Sequence, residues 1–301
     1  MNNEKKYFMN NFRLINKIGS GSFGDVFLVH DNNKNKDYAC KIEEKDKSKR
    51  LYEEYIIYKK LRENGVKIGI PKVYNFIETK LFNIMIMELL EHSLEHIYNQ
   101  LRFDLGTCLK IGYEIITLLE NIHNAEIIHR DIKPSNFLIG YKNNKCIIYI
   151  LDFGLSKQYI EKNKHINIIT EKSLIGTARY ASINVHMGIA PSRRDDLESL
   201  GYMLLFFMLG KLPWQGLKKR HDISNIEQIG EVKMCTDMNK LCKKIPSCFF
   251  DYITYCRKLR YQETPDYDYL KKLFIKTAEE KKCELRYIFD KNYLINNNIN
   301  E

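Results

Sequence analysis

Short stretches of alternating hydrophobic and polar residues dominate the first part of the chain. Five of them have the apolar, β-branched and aromatic content of strands and are separated by turn residues: 12–18, 26–30, 38–42, 73–78 and 82–87. A segment rich in lysine and glutamate, near residues 48–64, interrupts them and predicts a helix. The pattern therefore predicts a small β-rich region with one main helix.

From residue 93 onward the apolar residues follow helical spacing. Within residues 109–122 they recur every three or four positions, at Ile111, Ile115, Leu118, Leu119 and Ile122. Residues 197–209 are apolar on nearly every face, so we expect a buried central helix there. The second region is therefore predicted to be larger and mainly α-helical.

The length of the chain fits two such regions. Its 301 residues exceed the size at which one hydrophobic core keeps growing. Forty-four percent hydrophobic residues and only six prolines are typical of a well-packed globular protein. We expect one α+β domain over residues 1–301, with an N-lobe at 12–87, a hinge at 88–92, a C-lobe at 93–290 and a short tail at 291–301.

Cysteine usage, hydropathy and charge limit the cellular setting. The eight cysteines form no C-x-x-C pair and no zinc spacing, and no secretory signal precedes them, so we expect reduced thiols in the cytoplasm or nucleus. The longest apolar run, at residues 202–209, is far below the roughly 20 residues that span a bilayer, and no membrane anchor is expected. A net charge of +10 suggests nucleic acid, anionic membranes or acidic proteins as partners without choosing among them.

The string IHRDIKPSN at residues 128–136 places a carboxylate, an ammonium and an amide at short spacings. In phosphoryl transfer the protein contributes mainly positioning and charge stabilisation. Asp131 would orient a substrate hydroxyl, Lys133 would neutralise charge on the γ-phosphate, and Asn136 would bind one Mg²⁺ through its side-chain oxygen. The alternative is an ordinary surface loop, which the complete string disfavours.

A glycine-rich string, GSGSFGDV at residues 19–26, lies between the first two predicted strands. Such a pattern also occurs in dinucleotide-binding folds and in plain turns. A Rossmann loop leads into a helix, whereas a strand follows here, which favours a hairpin that covers nucleotide phosphates. A glycine-rich hairpin without ligand is the alternative. The residues expected to approach the nucleotide are Gly19, Ser20, Gly21 and Gly24.

Two further motifs supply charges for the same chemistry. Lys41, at the end of the third strand, is the expected ligand of the α- and β-phosphates. We choose Glu54 over Glu53 as its partner, because the residues after Glu54 then fit the helix face that packs on the sheet. The alternative for Glu54 is a solvated charge, whose exposed ion pair would contribute only ~0–1 kcal/mol. Asp152, in the DFG string after the strand at 147–150, would bind Mg²⁺.

The order of glycine loop, lysine, glutamate, HRD and DFG resembles the protein-kinase superfamily over the whole chain. At residues 176–186 the string GTARYASINVH carries Ser-Ile-Asn where most kinases have Ala-Pro-Glu, and in this it resembles casein kinase 1. The strings SRRDDLESLGY at 192–202 and LPWQGL at 212–217 are similar to that family's central helix and following turn. The resemblance extends over about residues 12–290.

The resemblance implies a bilobal kinase fold with ATP in the interlobe cleft. It implies a monomeric serine/threonine kinase that uses ATP and Mg²⁺, acts on acidic or phosphoprimed proteins and requires no nucleic acid. Asp196 would anchor the backbone of the catalytic loop, and Trp214 would be a packing residue. Further nucleotide-binding residues implied in this way are Ile18, Val26, Ala39, Met87, Glu88, Leu90 and Leu138.

Two groups of anion-binding residues are also implied by the resemblance. The first consists of Arg130, Lys157 and Lys172, and the second of Arg179 and the backbone of Gly216. Asn225 stands where relatives carry a lysine in the second group. Losing a charged partner removes ~1.5–3 kcal/mol of interaction, so we expect a weakened preference for phosphoprimed substrates. Glu91 and His92 replace a Gly-Pro pair, and we expect altered inhibitor affinity.

Two other classes of protein are alternatives to an active kinase. A catalytically silent kinase-fold scaffold would have lost one of four residues, all of which are present: Lys41, Asp131, Asn136 and Asp152. A nucleic-acid-binding module would interleave aromatic and basic residues, whereas the basic residues here are spread over both predicted lobes. Phosphate transfer to proteins is the function that the sequence favours.

Overall fold

The computed structural model describes residues 7–9, 12–21, 24–46 and 50–290. The chain forms two compact units. The first contains the chain up to Glu91 together with Leu138–Gly140 and Tyr149–Gly154, and the second contains His92–Phe137, Tyr141–Ile148 and the chain from Leu155 onward. Three predicted segments lie outside the described residues: the tip of the glycine loop at 22–23, the start of the predicted helix at 48–49, and the tail at 291–301.

An antiparallel sheet forms most of the first unit, and its order is β1-β2-β3-β4-β6-β5. The strands are β1 (Tyr7–Met9), β2 (Phe12–Gly21), β3 (Gly24–Asp31), β4 (Lys36–Glu44), β5 (Val73–Glu78) and β6 (Phe82–Met87). The sequence predicted the last five, with the observed bounds for β5 and β6. The strands β2 to β4 are longer than predicted because backbone pairing continues beyond their apolar residues.

One helix, α1 (Arg50–Glu63), packs against β5 and β6. Its buried residues recur every three or four positions: Leu51, Glu54, Tyr58 and Leu61. Cys40 lies in a separate apolar cluster of the sheet with Val29, Tyr38, Ile84 and Ile86. Because side chains alternate along a strand, Lys41 emerges on the opposite face from Cys40.

Helices dominate the second unit. They are α2 (Leu94–Gln100), α3 (Leu105–Asn124), α4 (Ile183–His186), α5 (Arg193–Leu209), α6 (Asn225–Cys235), α7 (Met238–Cys242), α8 (Ser247–Lys258) and α9 (Tyr267–Glu280). The predicted central helix is confirmed: α5 is buried almost throughout and packs against α3 and α8. The helix predicted at 109–122 lies within α3, which is longer because Asp104 caps its N-terminus by accepting a bond from the Thr107 amide.

Short strand pairs border the loops that carry the predicted catalytic residues. The strands are β7 (Ile127–Ile128), β8 (Phe137–Lys142), β9 (Lys145–Ile150), β10 (Lys157–Gln158), β11 (Ile160–Glu161) and β12 (Lys164–His165). The pairs are β7 with β10, β8 with β9, and β11 with β12. The pairing of β7 with β10 fixes both ends of the chain segment that runs from Ile128 to Lys157.

None of the helices in the described ranges combines the length and apolar character needed to cross a membrane. None of the eight cysteines forms a disulfide. Five are buried, Cys146 and Cys283 are half-buried, and Cys235 at the end of α6 is exposed.

The contact of α3 with α9 predicts the effect of a small substitution. A Cβ atom at Gly112 of α3 would lie 2.5 Å from Cε2 of Phe274 in α9. Overpacking of this kind costs ~1–3 kcal/mol, so we expect Gly112→Ala to lower the free energy of unfolding by that amount in urea titrations. Asn121→Ala, at an exposed position of the same helix, is the control. Equal stability of both variants would show that α3 and α9 can separate without cost.

Candidate active site

Lys41 is the centre of an ion cluster in the first unit. Its Nζ lies 2.7 Å from Oε2 of Glu54 and 3.0 Å from Oδ1 of Asp152. Lys41 is 6% exposed and Glu54 1% exposed, whereas Glu53 is exposed on the other side of α1. The structure therefore brings together three residues that the sequence analysis placed in one site.

Burial and charge oppose each other in this cluster. Burial disfavours the charged form of Lys41, but Glu54 and Asp152 outweigh it and raise the pKa of the ammonium. Burial raises the pKa of Glu54, and the nearby Lys41 only partly offsets this. Two carboxylates thus share one ammonium, which leaves Asp152 able to attract a further cation.

The backbone at Asp152 is strained. Its φ is 65°, in the left-handed region that costs non-glycine residues ~1–3 kcal/mol. The following residue, Phe153, is buried, and its ring meets that of Tyr58 on α1 edge to face at 5.0 Å. Phe153 thus packs against the helix that carries Glu54, and this packing keeps Asp152 next to Lys41.

The glycine-rich strands contain one position that only glycine can occupy. Gly24 has a φ of 143°, and a Cβ there would lie 2.3 Å from the carbonyl oxygen of Ile42. Gly19 has ordinary room for a side chain, and Gly21 pairs with Gly24 across the hairpin. Ser20 donates its hydroxyl to Asp25 at 2.8 Å. The close approach of β3 to β4 at this point therefore depends on Gly24.

The sheet register places other predicted nucleotide-binding residues. Val26 lies opposite Lys41, and Ala39 lies opposite Met87. Ile18 on β2 is 46% exposed. Because Ala39 and Lys41 are two residues apart on β4, the side chains of Ala39, Lys41, Val26 and Met87 share one face of the sheet.

The backbone after β6 follows a fixed course. The Glu88 amide donates to the carbonyl of Lys72 at 2.8 Å, so its own carbonyl is the backbone group that Glu88 can offer to a purine. The Glu91 amide donates to the carbonyl of Ile139 at 2.9 Å. Leu90 packs beside Gly140, and Leu138 is half-buried on the same strand, β8.

A second cluster, in the second unit, surrounds Asp131. Lys133 Nζ lies 2.6 Å from its Oδ2, and the hydroxyl of Thr177 donates to its Oδ1 at 2.8 Å. Asn136 donates through Nδ2 to the carbonyl oxygen of Asp131 at 2.9 Å. This arrangement orients the carboxylate and leaves the amide oxygen of Asn136 as the atom able to bind a cation.

Asp196, at the start of α5, fixes the backbone before Asp131. Its carboxylate accepts bonds from the amides of His129 at 2.7 Å and Arg130 at 2.8 Å, and His123 Nε2 lies 3.0 Å away. Burial alone would raise the pKa of Asp196, but the hydrogen bonds and the neighbouring histidines hold it below its ordinary value. The predicted anchoring contact is confirmed.

The described contacts place Arg130 and Lys157, two members of the first predicted group of anion-binding residues, on neighbouring segments. Arg130 donates through Nε to the carbonyl of Leu155, and Lys157 lies opposite Ile128 in the β7–β10 pair. Both residues therefore belong to the same pair of loop segments. For Lys172, which is exposed, the described contact is a backbone bond to Gly188 at 2.9 Å.

The second group lines one groove of about 690 Å³, which we call the acceptor groove. Arg179, Gly216 and Asn225 all face it. A side chain at Gly216 would begin 3.7 Å from the ammonium of Lys211, a cation not identified from the sequence. Other lining residues include Glu95, Lys133, Thr177, Tyr180, Trp214 and Ile229.

Sequence reasoning missed two residues at this site. Thr177 lies 46 positions from Asp131, and a single threonine carries no signal of such a contact. Lys233 on α6 is fully buried and donates to the carbonyls of Ala178 and Ala181. Its position in the chain resembles that of the many exposed lysines, so only the folded structure distinguishes it.

A comparison with known families agrees with this geometry. Residues 12–277 match the family model of the protein kinase domain, a class of ATP-dependent phosphotransferases that act on proteins and usually use Mg²⁺. The match covers most of the chain, and the protein belongs to the protein kinase family. The predicted fold class is confirmed by the sheet with one main helix and by the mainly helical second unit.

The contacts of Asp196 predict that replacing this residue greatly lowers the stability of the protein. In Asp196→Asn an NH₂ group, which donates, replaces one of the two carboxylate oxygens. The amides of His129 and Arg130 each bond to a different oxygen of Asp196, so one of them loses its acceptor. Breaking a buried charged contact costs ~3–5 kcal/mol, which we expect as a lower free energy of unfolding. Asp268→Asn, at an exposed aspartate, is the control and should change little. Equal stability of the two variants would contradict the anchoring role.

Proposed function

We propose that this chain is an active serine/threonine kinase of the casein kinase 1 type. It transfers the γ-phosphate of Mg-ATP to hydroxyl groups of acidic or phosphoprimed proteins. Membership of the protein kinase family supports the reaction class. The residues at 182–184 and 212–217, which resemble casein kinase 1, support the subtype.

The observation that carries the proposal is the arrangement around Asp131. Lys133 and Thr177 contact one oxygen each of its carboxylate, and Asn136 secures its backbone. Asp131 then accepts the hydrogen bond of a substrate hydroxyl and aims its oxygen. The ammonium of Lys133 stabilises the negative charge that develops during transfer, because it is already in place when that charge appears.

The donor atoms present fit Mg-ATP. Carboxylate and amide oxygens are suitable ligands for Mg²⁺, and Asp152 in the first unit and Asn136 in the second each offer one. Lys41, held by Glu54, would bind nucleotide phosphates, while Gly24 allows β3 to lie close to the backbone of Ile42. When bound, Mg-ATP supplies the phosphoryl group and a cation that neutralises its charge.

Phosphate transfer from Mg-ATP to casein and to an acidic peptide tests this function. We expect transfer by the parent and by the exposed-site control Asp268→Asn. Asp131→Asn should lower kcat by ~100-fold or more, because a neutral amide cannot take the proton of the hydroxyl, and Asp152→Ala should abolish transfer. Phosphoamino-acid analysis of the product identifies the acceptor residue. No transfer by the folded parent would overturn the proposal in favour of a silent scaffold.

The residues that line the acceptor groove suggest how the protein recognises phosphoprimed substrates. Arg179 lines the groove and Lys211 lies beside Gly216, whereas Asn225 provides no charge. We propose that Arg179 and Lys211 together bind the priming phosphate. They bind it less tightly than three cations would, because each cation adds a charged hydrogen bond.

The proposed phosphate site predicts the effect of placing a positive charge at residue 225. Asn225→Lys should raise the ratio of kcat/KM for a primed over an unprimed peptide by about tenfold, since a charged hydrogen bond contributes ~1.5–3 kcal/mol. Asn239→Lys adds the same charge at an exposed position on α7 and is the control. Lys211→Ala should lower the ratio. A large ratio in the parent that Asn225→Lys leaves unchanged would contradict the weakened preference.

A further inference from the structure

Lys233 on α6 is a fully buried lysine whose ammonium contacts backbone oxygens. Its Nζ donates to the carbonyl of Ala178 at 3.0 Å and to that of Ala181 at 2.5 Å. The Nε2 atom of His186 lies 3.2 Å away. The ammonium therefore has two carbonyl acceptors, and its third polar neighbour is an imidazole nitrogen that also lies 3.1 Å from the carbonyl oxygen of Ala178.

The surroundings of this ammonium stabilise its positive charge without an ion pair. The ammonium lies over the rings of Tyr202 and Trp214, 4.8 Å and 5.1 Å from their centroids. Over the described ranges no carboxylate forms a salt bridge with it. A buried charge is costly unless hydrogen bonds compensate it, so the two carbonyl contacts are essential to the arrangement.

The carbonyls that Lys233 holds belong to the segment 177–181, which forms one wall of the acceptor groove. The hydroxyl of Thr177 donates to Asp131, and the indole of Trp214 donates to the carbonyl of Arg179 at 2.7 Å. The amides of Tyr180 and Ala181 both donate to the carbonyl of Thr177. Buried side chains thus secure this turn from inside, while Thr177 and Arg179 line the groove.

We propose that Lys233 is a positioning residue for the acceptor protein: by tying the carbonyls of Ala178 and Ala181 to α6, it sets the shape of the acceptor groove and the position of Thr177 on Asp131. This inference rests on the proposed kinase function. Lys233 itself touches neither the substrate nor the reacting atoms.

The charge of Lys233 makes this positioning sensitive to pH. Burial lowers the pKa of Lys233 to about 7, while Glu198 opposes the shift and Arg257 adds to it. Burial and the neighbouring Lys233 lower the pKa of His186 to about 4, so His186 stays neutral near pH 7. Tyr202 faces the ammonium with a pKa raised well above its ordinary value. Lys233 is therefore the group in this cluster that changes charge near neutrality.

Deprotonation weakens the contact. A neutral amine makes weaker hydrogen bonds to the two carbonyls than an ammonium does, and it no longer attracts the two aromatic rings. As the pH rises through about 7, the segment 177–181 is held less firmly and the KM for an acceptor peptide rises.

Steady-state kinetics from pH 6 to 9 test the inference, with an unphosphorylated acidic peptide and saturating Mg-ATP. The proteins are the parent, Lys233→Met and the control Lys240→Met, which alters an exposed lysine of α7. At pH 6.5 we expect Lys233→Met to raise the peptide KM by about 10- to 100-fold, because a small misplacement of the groove weakens productive binding. Its KM for ATP stays unchanged. The parent's peptide KM should rise with pH towards that of the variant, whose own KM stays flat.

Trp214 gives a readout that does not depend on activity. It is the single tryptophan and its ring lies beside the ammonium, so its fluorescence should titrate with a midpoint near pH 7 in the parent and stay flat in Lys233→Met. If Lys233→Met does not fold, the parent's KM profile and fluorescence decide. If the parent transfers phosphate but its peptide KM and its fluorescence do not change with pH, this inference is wrong and the proposed function stands. A parent that transfers no phosphate overturns the proposed function and this inference with it.

Discussion

The loop that carries Asp131 depends on a single buried carboxylate. Arg130 adopts a φ of 71°, a conformation that costs a non-glycine residue ~1–3 kcal/mol, and Asp196 offsets this by accepting the amide of Arg130 itself and that of His129 before it. Buried amides that lost this acceptor would have no water to replace it. The contacts of Lys133, Asn136 and Thr177 with Asp131 all presuppose that backbone course, because each is a short hydrogen bond or ion pair to a group whose position the anchor sets.

Two buried lysines show how environment decides the charge of the same side chain. Lys41 lies between two carboxylates, and its pKa is raised despite burial. Within the part of the chain that the structure describes, the Lys233 ammonium contacts carbonyls, an imidazole and aromatic rings, and burial lowers its pKa to about 7. Dipoles and ring faces satisfy the hydrogens of an ammonium without supplying the full charge that would retain its proton. Lys41 is therefore positively charged at neutral pH, whereas Lys233 loses its charge as the pH rises through about 7.

Periodicity predicted the elements whose side chains follow one regular face. The strands β5 and β6 and the helix α3 were found in this way, and α5 was found because its residues are apolar on nearly every face, whereas the three-residue strand β1 is too short to show a pattern. The choice of Glu54 over Glu53 also followed from helical geometry, since only one of them lies on the face that packs on the sheet. Thr177 and Lys233 escaped prediction because their contacts join residues about 50 positions apart, and neither residue type nor spacing records such a meeting.

The pattern of cysteine burial has a practical consequence. Thiols react as thiolates, and burial raises the pKa of Cys242 and Cys248 to about 11 and that of Cys40 to about 12. Cys235 is the exposed cysteine, and it ends α6 two residues after Lys233. A brief treatment with a maleimide dye should therefore label Cys235 first. The natural sequence thus carries an attachment point for a spectroscopic probe on the helix that holds the wall of the acceptor groove.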